Sequence, residues 1–285
     1  MNEQDANEPC ATLPCSLPAL TSEDRQALRR AYAQLENPGL AARLTNKLGR
    51  PIEKIFQMLP DGWYESLHRA MRANLEKALA VAVVSMDQKG GSRHSARVHR
   101  WLGMMSGAVG GFFGLPAVLA ELPVISTIIL RSIADIARSE GEDPRAEATR
   151  LACLEVFALG GRGHGYDATD AGYYGIRLAL GLHFTLVSEQ VASRGIVRWS
   201  PPALVRFMAE IAARFGVAVT QKAAVQMVPV LGAGAGGLVN LVFIEHFQEV
   251  ARAHFTMRRL ERVYGLELMR AEYEKLSLDK GKKVE

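Results

Sequence analysis

The 285-residue sequence contains only three cysteines, too few and too unevenly placed to form a disulfide framework. Cys10 and Cys15 lie in a polar stretch broken by prolines, and Cys153 falls within a predicted helix. An odd number of cysteines without paired spacing fits a reducing compartment. The first twenty residues also lack the apolar segment of a secretory signal, so we predict residues 1–20 to be a disordered leader.

Recognisable catalytic and metal-binding motifs are missing as well. The chain has no H-E-x-x-H and no G-x-S-x-G sequence. His94 and His99 are five residues apart, which places them on different faces of a helix rather than in a zinc-binding pair. Cys153 has no neighbouring histidine and is more typical of a core residue. We therefore expect no metal, no cofactor and no catalytic residues, although a hydrolase of unrecognised mechanism stays open as an alternative.

Positive charge is present only in moderation, with a net charge of +4. Three short basic stretches stand out, at residues 89–100, 258–262 and 280–283. Aromatic residues are not interleaved with any of them, whereas surfaces that bind single-stranded nucleic acids combine the two. We expect no nucleic-acid partner.

No segment alternates apolar and polar residues as a strand does, whereas helical periodicity recurs throughout. Residues 62–88, for example, repeat an apolar residue every four positions. The pattern predicts an all-α protein: one helical domain of about nine or ten helices over residues 21–277, followed by a basic tail at 278–285.

Local signals predict where several of these helices begin and end. Thr21 or Ser22 is the expected N-cap of the first helix, with Glu23 and Asp24 favourable in its first turn. A short helix is predicted at 40–48. Asp143 followed by proline predicts another helix start, with Asp143 as the N-cap. Later in the chain, a long helix is expected to end at Gly265.

Two long segments carry no charge, residues 101–120 and 223–244, and each reaches the ~20 residues that span a bilayer as a helix. Both contain clustered glycines, which cost a helix interior about 1 kcal/mol each relative to alanine. Close packing of helix backbones, which small residues allow, can offset this cost both in membranes and in tightly packed cores. The clustered glycines are Gly103, Gly107, Gly110, Gly111, Gly114, Gly232, Gly234, Gly236 and Gly237.

The two runs allow two interpretations. They are either central core helices of a soluble domain or two glycine-rich hydrophobic hairpins that enter or dock on a bilayer. Basic residues before the first run, at 93, 97 and 100, fit either a cytoplasmic flank near anionic lipids or a solvated helix face. Prolines count against a regular span, and Glu121 with Pro123 should interrupt the first run before a second helix at 123–139. Small-residue faces also make a homo-oligomer possible.

Several polar residues are embedded in apolar sequence, where a charge must be paired or must shift its pKa. Arg131 and Asp135, four residues apart, are the expected ion pair. Glu121 or Glu155 is a candidate second partner for Arg131 or Arg177. Such groups would either fix helix register or form a polar pocket between the glycine-rich hairpins for a lipid head group or small anion. The full set is Glu121, Arg131, Asp135, Glu155, Arg177, Asn240 and Glu245.

Four segments carry a resemblance to a known family: GFFGLPAVLAELPVISTIILRSIADIARSEGEDP (111–144), LEVFALGG (154–161), YYGIR (173–177) and VPVLGAGAGGLVNLVFIEHFQEVARAHFTMRRLERVYG (228–265). Their order and spacing resemble the EcsC family, whose name comes from a gene beside an ABC transporter. The resemblance implies a helical protein associated with a membrane or a membrane complex. It implies no substrate and transfers no catalytic residues.

Together these observations lead to one expectation about function. The chain is expected to be a non-enzymatic, membrane-associated protein, located in the cytoplasm at the inner face of the plasma membrane. Its expected partners are membrane lipids or a membrane protein complex such as a transporter. The alternative is a soluble interaction or lipid-carrier module in which the same hairpins form the core.

Overall fold

The structure, a computed structural model, describes residues 19–36, 39–48, 62–63, 65–67, 70–71, 115–161, 172–181, 202–226 and 232–281. Throughout these ranges the regular structure is helical and no strand occurs, which confirms the predicted all-α class. Residues 173–181 form a helical segment. The other helices are α1 (Ser22–Leu35), α2 (Leu40–Leu48), α3 (Leu115–Ser139), α4 (Glu147–Gly160), α5 (Pro202–Gln226), α6 (Gly232–Tyr264) and α7 (Leu266–Gly281).

Helix α1 begins as predicted. Thr21 is its N-cap, and the Thr21 hydroxyl accepts a hydrogen bond of 3.1 Å from the backbone N–H of Asp24. The Asp24 carboxylate in turn accepts from the hydroxyl of Tyr264, at 2.7 Å, and from the guanidinium of Arg259, at 3.1 Å. The same residues that start α1 therefore also hold it against α6. The short helix predicted at 40–48 is α2.

The predicted interruption at Glu121 and Pro123 is wrong, because both residues lie within helix α3. It runs without interruption through both residues, with Pro123 inside the helix. An internal proline removes a backbone hydrogen bond, but it does not end a helix whose apolar face is held by packing. That face is fully buried on both sides of the proline, at Leu122, Ile125 and Ile129.

The start of α4 also differs from the prediction. The helix begins at Glu147, and Ala146 rather than Asp143 occupies the N-cap position, without a side-chain hydrogen bond. The Asp143 carboxylate instead accepts from the backbone N–H of Arg145 at 2.9 Å, and the Asp143 carbonyl accepts from that of Ala146 at 3.0 Å. Aspartate followed by proline suits such a turn as well as a helix cap, and in this protein the pair lies in a turn that precedes the helix.

Helix α4 is the most enclosed element among the described residues, since every residue from Leu151 to Gly160 is buried. A helix that is apolar around its whole circumference must lie inside the protein. Cys153 lies in this stretch as a fully buried core residue, and burial raises the pKa of its thiol to about 12. Such a thiol is unreactive at neutral pH.

The C-terminal end of α4 packs so closely against α5 and α6 that two of its positions have no room for a side chain. A Cβ atom added to Gly161 would lie 2.0 Å from the backbone carbonyl oxygen of Arg214 in α5, and one added to Gly160 would lie 2.4 Å from the Phe247 ring in α6. The Gly160 carbonyl accepts a 2.8 Å hydrogen bond from His246 Nε2. These two glycines therefore allow three helices to meet.

Helix α6 is the central support of the fold. Its 33 residues, about 50 Å at 1.5 Å per residue, pack against α1, α2, α3, α4, α5 and α7. It ends where predicted, at Gly265, which adopts a left-handed φ of 86°. The following helix α7 extends to Gly281, beyond its predicted end at 277.

The second charge-free run contributes to the core in its described parts. Gly232, Gly234, Gly236 and Gly237 form the first turns of α6, and the residues on either side of the run's centre, at 223–225 and 242–244, are buried. The glycines of the first run, and most of residues 62–88, lie outside the described residues. Within the described ranges, no helix has the length and apolarity needed to cross a membrane.

Candidate functional site

The polar residues singled out from the sequence do not form one pocket. Glu121 and Asn240 meet in a buried cluster between α3, α5 and α6, whereas Glu155 and Arg177 belong to a second cluster, which includes α4 and the segment 173–181. Arg131 is exposed on α3, and Asp135 forms its ion pair with Arg138, at 3.0 Å, rather than with Arg131 as expected. Glu245 is half-buried on α6.

The first cluster, which we call the buried triad, consists of Glu121, Lys222 and Asn240. The Lys222 ammonium lies 2.9 Å from one carboxylate oxygen of Glu121, and the Asn240 amide donates to the other at 2.5 Å. Lys222 and Asn240 are fully buried and Glu121 is 8% exposed. Burial lowers the pKa of Lys222, and Glu121 opposes that effect.

Sequence reasoning missed Lys222, although a signal was present. Glu121 directly follows the first charge-free run, and Lys222 directly precedes the second. A lone acid and a lone base at the edges of two apolar segments are complementary, and pairing inside the protein offsets part of their desolvation cost. The triad is closed off from solvent, which suits a role in fixing the register of three helices.

The second cluster lines a pocket of about 490 Å³, which we call the arginine pocket. It lies between α4, the segment 173–181, the C-terminal half of α6, and α7. Arginines reach it from three of these elements, and among the described lining residues Glu155 is the one acid. The lining residues are Ala148, Glu155, Tyr174, Gly175, Arg177, Leu178, Gly181, Arg258, Leu266 and Arg270.

Arg177 is held in place by a bidentate contact. Its two terminal nitrogens donate to both carboxylate oxygens of Glu261 in α6, at 2.5 and 3.0 Å, and one of them also donates to the Tyr173 hydroxyl at 3.2 Å. The hydroxyl of Tyr174 donates to the same Glu261 carboxylate at 3.0 Å. A planar guanidinium bound in this way is rigid, so its position at the pocket wall is preorganised.

Tyr173 connects Arg177 to a buried histidine. The Tyr173 hydroxyl accepts from Arg177 and also shares a hydrogen bond of 3.1 Å with Nδ1 of His254, in which the donor is set by the tautomer of the imidazole. Burial holds the pKa of His254 well below its usual value, and Arg177 and Arg258 act in the same direction. The imidazole is therefore neutral at physiological pH.

Glu155 lies at the floor of the pocket, at the end of this chain of contacts. Its Oε2 atom is 3.5 Å from Nε2 of His254, and within the described part of the protein neither atom has a hydrogen bond. Burial raises the pKa of Glu155, and the opposing effects of Arg177 and Arg258 do not cancel it. Sequence reasoning had chosen Glu155 and Arg177 as possible partners; the structure places both at one pocket but connects Arg177 to Glu261.

The mouth of the pocket combines charge with exposed apolar surface. Leu178 is 62% exposed and Leu266 is 50% exposed. Arg270 in α7 is largely exposed and pairs with Glu274 at 3.1 Å. Arg258, deeper in the pocket, uses Nε and Nη2 to bind Glu142, at 2.9 and 3.4 Å. An arginine has five N–H donors, so each of these side chains retains capacity to bind an anion.

The basic stretch 258–262 is not an open basic surface. Arg258 and Arg262 both bind Glu142, in the turn between α3 and α4, and Arg259 binds Glu140 and Asp24. Among the described residues, no group of histidine, cysteine, aspartate and glutamate side chains could hold a metal ion.

Fold and site together define an all-α protein in which helix α4 is buried from Leu151 to Gly160 and an arginine-lined pocket lies beside it. The model of the EcsC protein family matches residues 22–260, from the first residue of α1 to the last turn of α6. The chain belongs to the EcsC protein family. Glu155, Arg177 and Arg258 lie within the matched range, whereas Leu266 and Arg270 follow it. Neither a curated protein nor a solved structure matches the chain.

Proposed function

We propose that this protein is a non-enzymatic peripheral membrane protein that docks on an anionic bilayer through the mouth of the arginine pocket. The observation that carries the proposal is the presence of two exposed leucines beside arginines at one opening. Leu178 and Leu266 offer apolar surface to the interfacial region of a bilayer. Arg258 and Arg270 offer hydrogen-bond donors to lipid phosphates.

The burial of the second charge-free run supports docking in preference to insertion through that segment. Its described residues are largely buried, and the Lys222 ammonium and the Asn240 amide nitrogen both donate hydrogen bonds to Glu121 inside the protein. Exposing these groups to hydrocarbon would require breaking the buried triad, which is costly for an ammonium group. Docking through the pocket mouth leaves the core intact.

The proposal can be tested by flotation of the full chain with phosphatidylcholine vesicles that either contain or lack phosphatidylglycerol. We expect the protein to float only with the anionic vesicles. Arg270→Glu should weaken partitioning about tenfold or more, because each basic residue near an anionic surface contributes roughly 1 kcal/mol and this change reverses the charge. Leu178→Ser should also weaken it.

Two variants on α3, which contributes no lining residue, provide matched controls. Arg131 and Val124 are both exposed, so Arg131→Glu makes the same change of charge, and Val124→Ser a comparable loss of apolar surface, elsewhere on the protein. Equal losses in the control and pocket variants would contradict docking through the pocket. A protein that never floats, and that copurifies with an apolar ligand, would support a soluble lipid carrier instead.

A further inference from the structure

The floor of the arginine pocket holds a group that the docking proposal does not use. Glu155 is nine-tenths buried and lines the pocket, and its Oε2 atom, which faces Nε2 of His254 at 3.5 Å, has no hydrogen bond among the described residues. Buried carboxyl groups normally have their oxygens hydrogen-bonded, so a carboxyl group that lines a pocket and is not fully paired within the protein has capacity to form a hydrogen bond with a ligand there. Arg177 and Arg258 line the same pocket, and although they bind Glu261 and Glu142, each guanidinium keeps N–H donors, which suit an anion rather than a cation.

We propose that the arginine pocket binds a phosphate- or sulfate-type anion together with one proton, with the carboxylic acid of Glu155 donating a hydrogen bond to an oxygen of the anion. This inference rests on the proposed function, because it names the part of the lipid that the pocket recognises. The same chemistry would bind a free phosphodiester, so lipid-bound and free anions are separate outcomes of the test.

The proton follows from the arrangement of charges around Glu155. The segment 173–181 presents Arg177 and Tyr173 to it, α6 presents His254, Arg258 and Glu261, and α7 presents Arg270 at the mouth. An anion between the arginines would be repelled by an ionised Glu155 but would accept a hydrogen bond from its acid form. Binding therefore favours the protonated carboxyl group.

Two neighbouring groups have pKa values shifted away from neutral pH. The pKa of His254 is far below its usual value, and the pKa of Tyr173 is raised by burial. The Glu261 carboxylate is bound by Arg177 on both oxygens. Glu155 is thus the group among the described lining residues whose proton would couple to anion binding.

Titration calorimetry of the full chain with sulfate, and separately with the head group glycerophosphoglycerol, tests this inference. Neither probe titrates between about pH 5 and pH 9, unlike a phosphate monoester, whose second pKa is ~6. We expect affinity to fall as pH rises, by up to tenfold per pH unit above the pKa of Glu155. Buffers of different ionisation enthalpy should show uptake of up to one proton per anion.

The variant Glu155→Gln distinguishes an acid that donates a hydrogen bond from a structural carboxylate. Glutamine has N–H donors and no titrating proton, so affinity should match the wild-type value at low pH and remain constant as pH rises. Glu155→Ala should weaken binding at every pH. The proton-uptake measurement on wild-type protein does not depend on whether either variant folds.

Three results would overturn the inference: no binding of either probe, binding without proton uptake, or loss of binding in Glu155→Gln. Flotation with anionic vesicles would still test docking in each case. Binding of sulfate without flotation would support the anion site and refute docking on the membrane, so the two proposals can fail separately.

Discussion

The buried triad allows a quantitative test of how charge is accommodated in the core. Replacing Glu121 by Gln keeps the shape and the hydrogen bond to Asn240 but leaves the fully buried Lys222 without an opposite charge. Breaking a buried ion pair by removing one partner costs about 3–5 kcal/mol. The cost has an upper limit, because Lys222 can lose its proton instead. Neutralising a lysine of pKa 10.5 at about pH 7 costs roughly 5 kcal/mol.

That limit predicts how the loss changes with pH. When the native variant holds Lys222 neutral, the unfolded chain binds one more proton than the folded one. Stability then rises with pH, by about 1.4 kcal/mol per pH unit, until the ordinary lysine pKa is reached. The deficit of Glu121→Gln at about pH 7 should therefore be roughly 1–3 kcal/mol smaller at about pH 9, and the larger change corresponds to a Lys222 that is already neutral at about pH 7. Urea unfolding followed by far-UV circular dichroism measures both values.

A double variant provides the rescue. Glu121→Gln with Lys222→Met removes the buried ammonium group and retains an acceptor for Asn240, so it should be more stable than Glu121→Gln alone. The exposed pair between Arg270 and Glu274 is the control, and Glu274→Gln should cost less than ~1 kcal/mol. A loss below ~1 kcal/mol for Glu121→Gln, or a deficit independent of pH, would refute the reasoning.

Two further predictions concern the junction where α4 ends. Gly161→Ala should destabilise the protein by about 3 kcal/mol or more, because the added Cβ would overlap the backbone carbonyl of Arg214, and rotating a side chain cannot relieve that overlap. Thermal unfolding measures the loss of stability. Gly181→Ala is the control, because a Cβ added there meets no atom within 4 Å. His246 donates to the Gly160 carbonyl, and burial lowers its pKa to about 4. Because the unfolded chain binds a proton below pH ~6.5 and the folded chain does not, stability should fall by roughly 3 kcal/mol as pH drops from about 6.5 to about 4.

Each of these two predictions has a clear contrary result. Equal melting temperatures for Gly161→Ala and Gly181→Ala would mean that α4 and α5 do not meet as described. For the histidine, urea midpoints across this pH range are compared with those of His246→Gln, which retains a donor for the Gly160 carbonyl. An unchanged pH dependence in His246→Gln would assign the acid sensitivity to other groups, with buried His254 the first to examine.

The sequence by itself determined the helical class, several helix ends and the family. These features depend on near neighbours along the chain: the Thr21 hydroxyl reaches a backbone N–H three residues away, and Gly265 supplies the left-handed turn that ends α6. The expected start at Asp143 was wrong for a related reason. An aspartate before proline suits a turn as well as a cap, and local sequence does not choose between them.

Only the tertiary structure decided which polar groups meet. Glu121 of the triad lies about a hundred positions from Lys222, and Arg177 pairs with Glu261, not with Glu121 or Glu155, the partners expected from their apolar sequence surroundings. The enclosure of α4 and the continuity of α3 through Pro123 likewise depend on packing against other helices. The energy of a buried charge depends on what surrounds it in three dimensions, and spacing along one chain specifies only the neighbours within a helix turn.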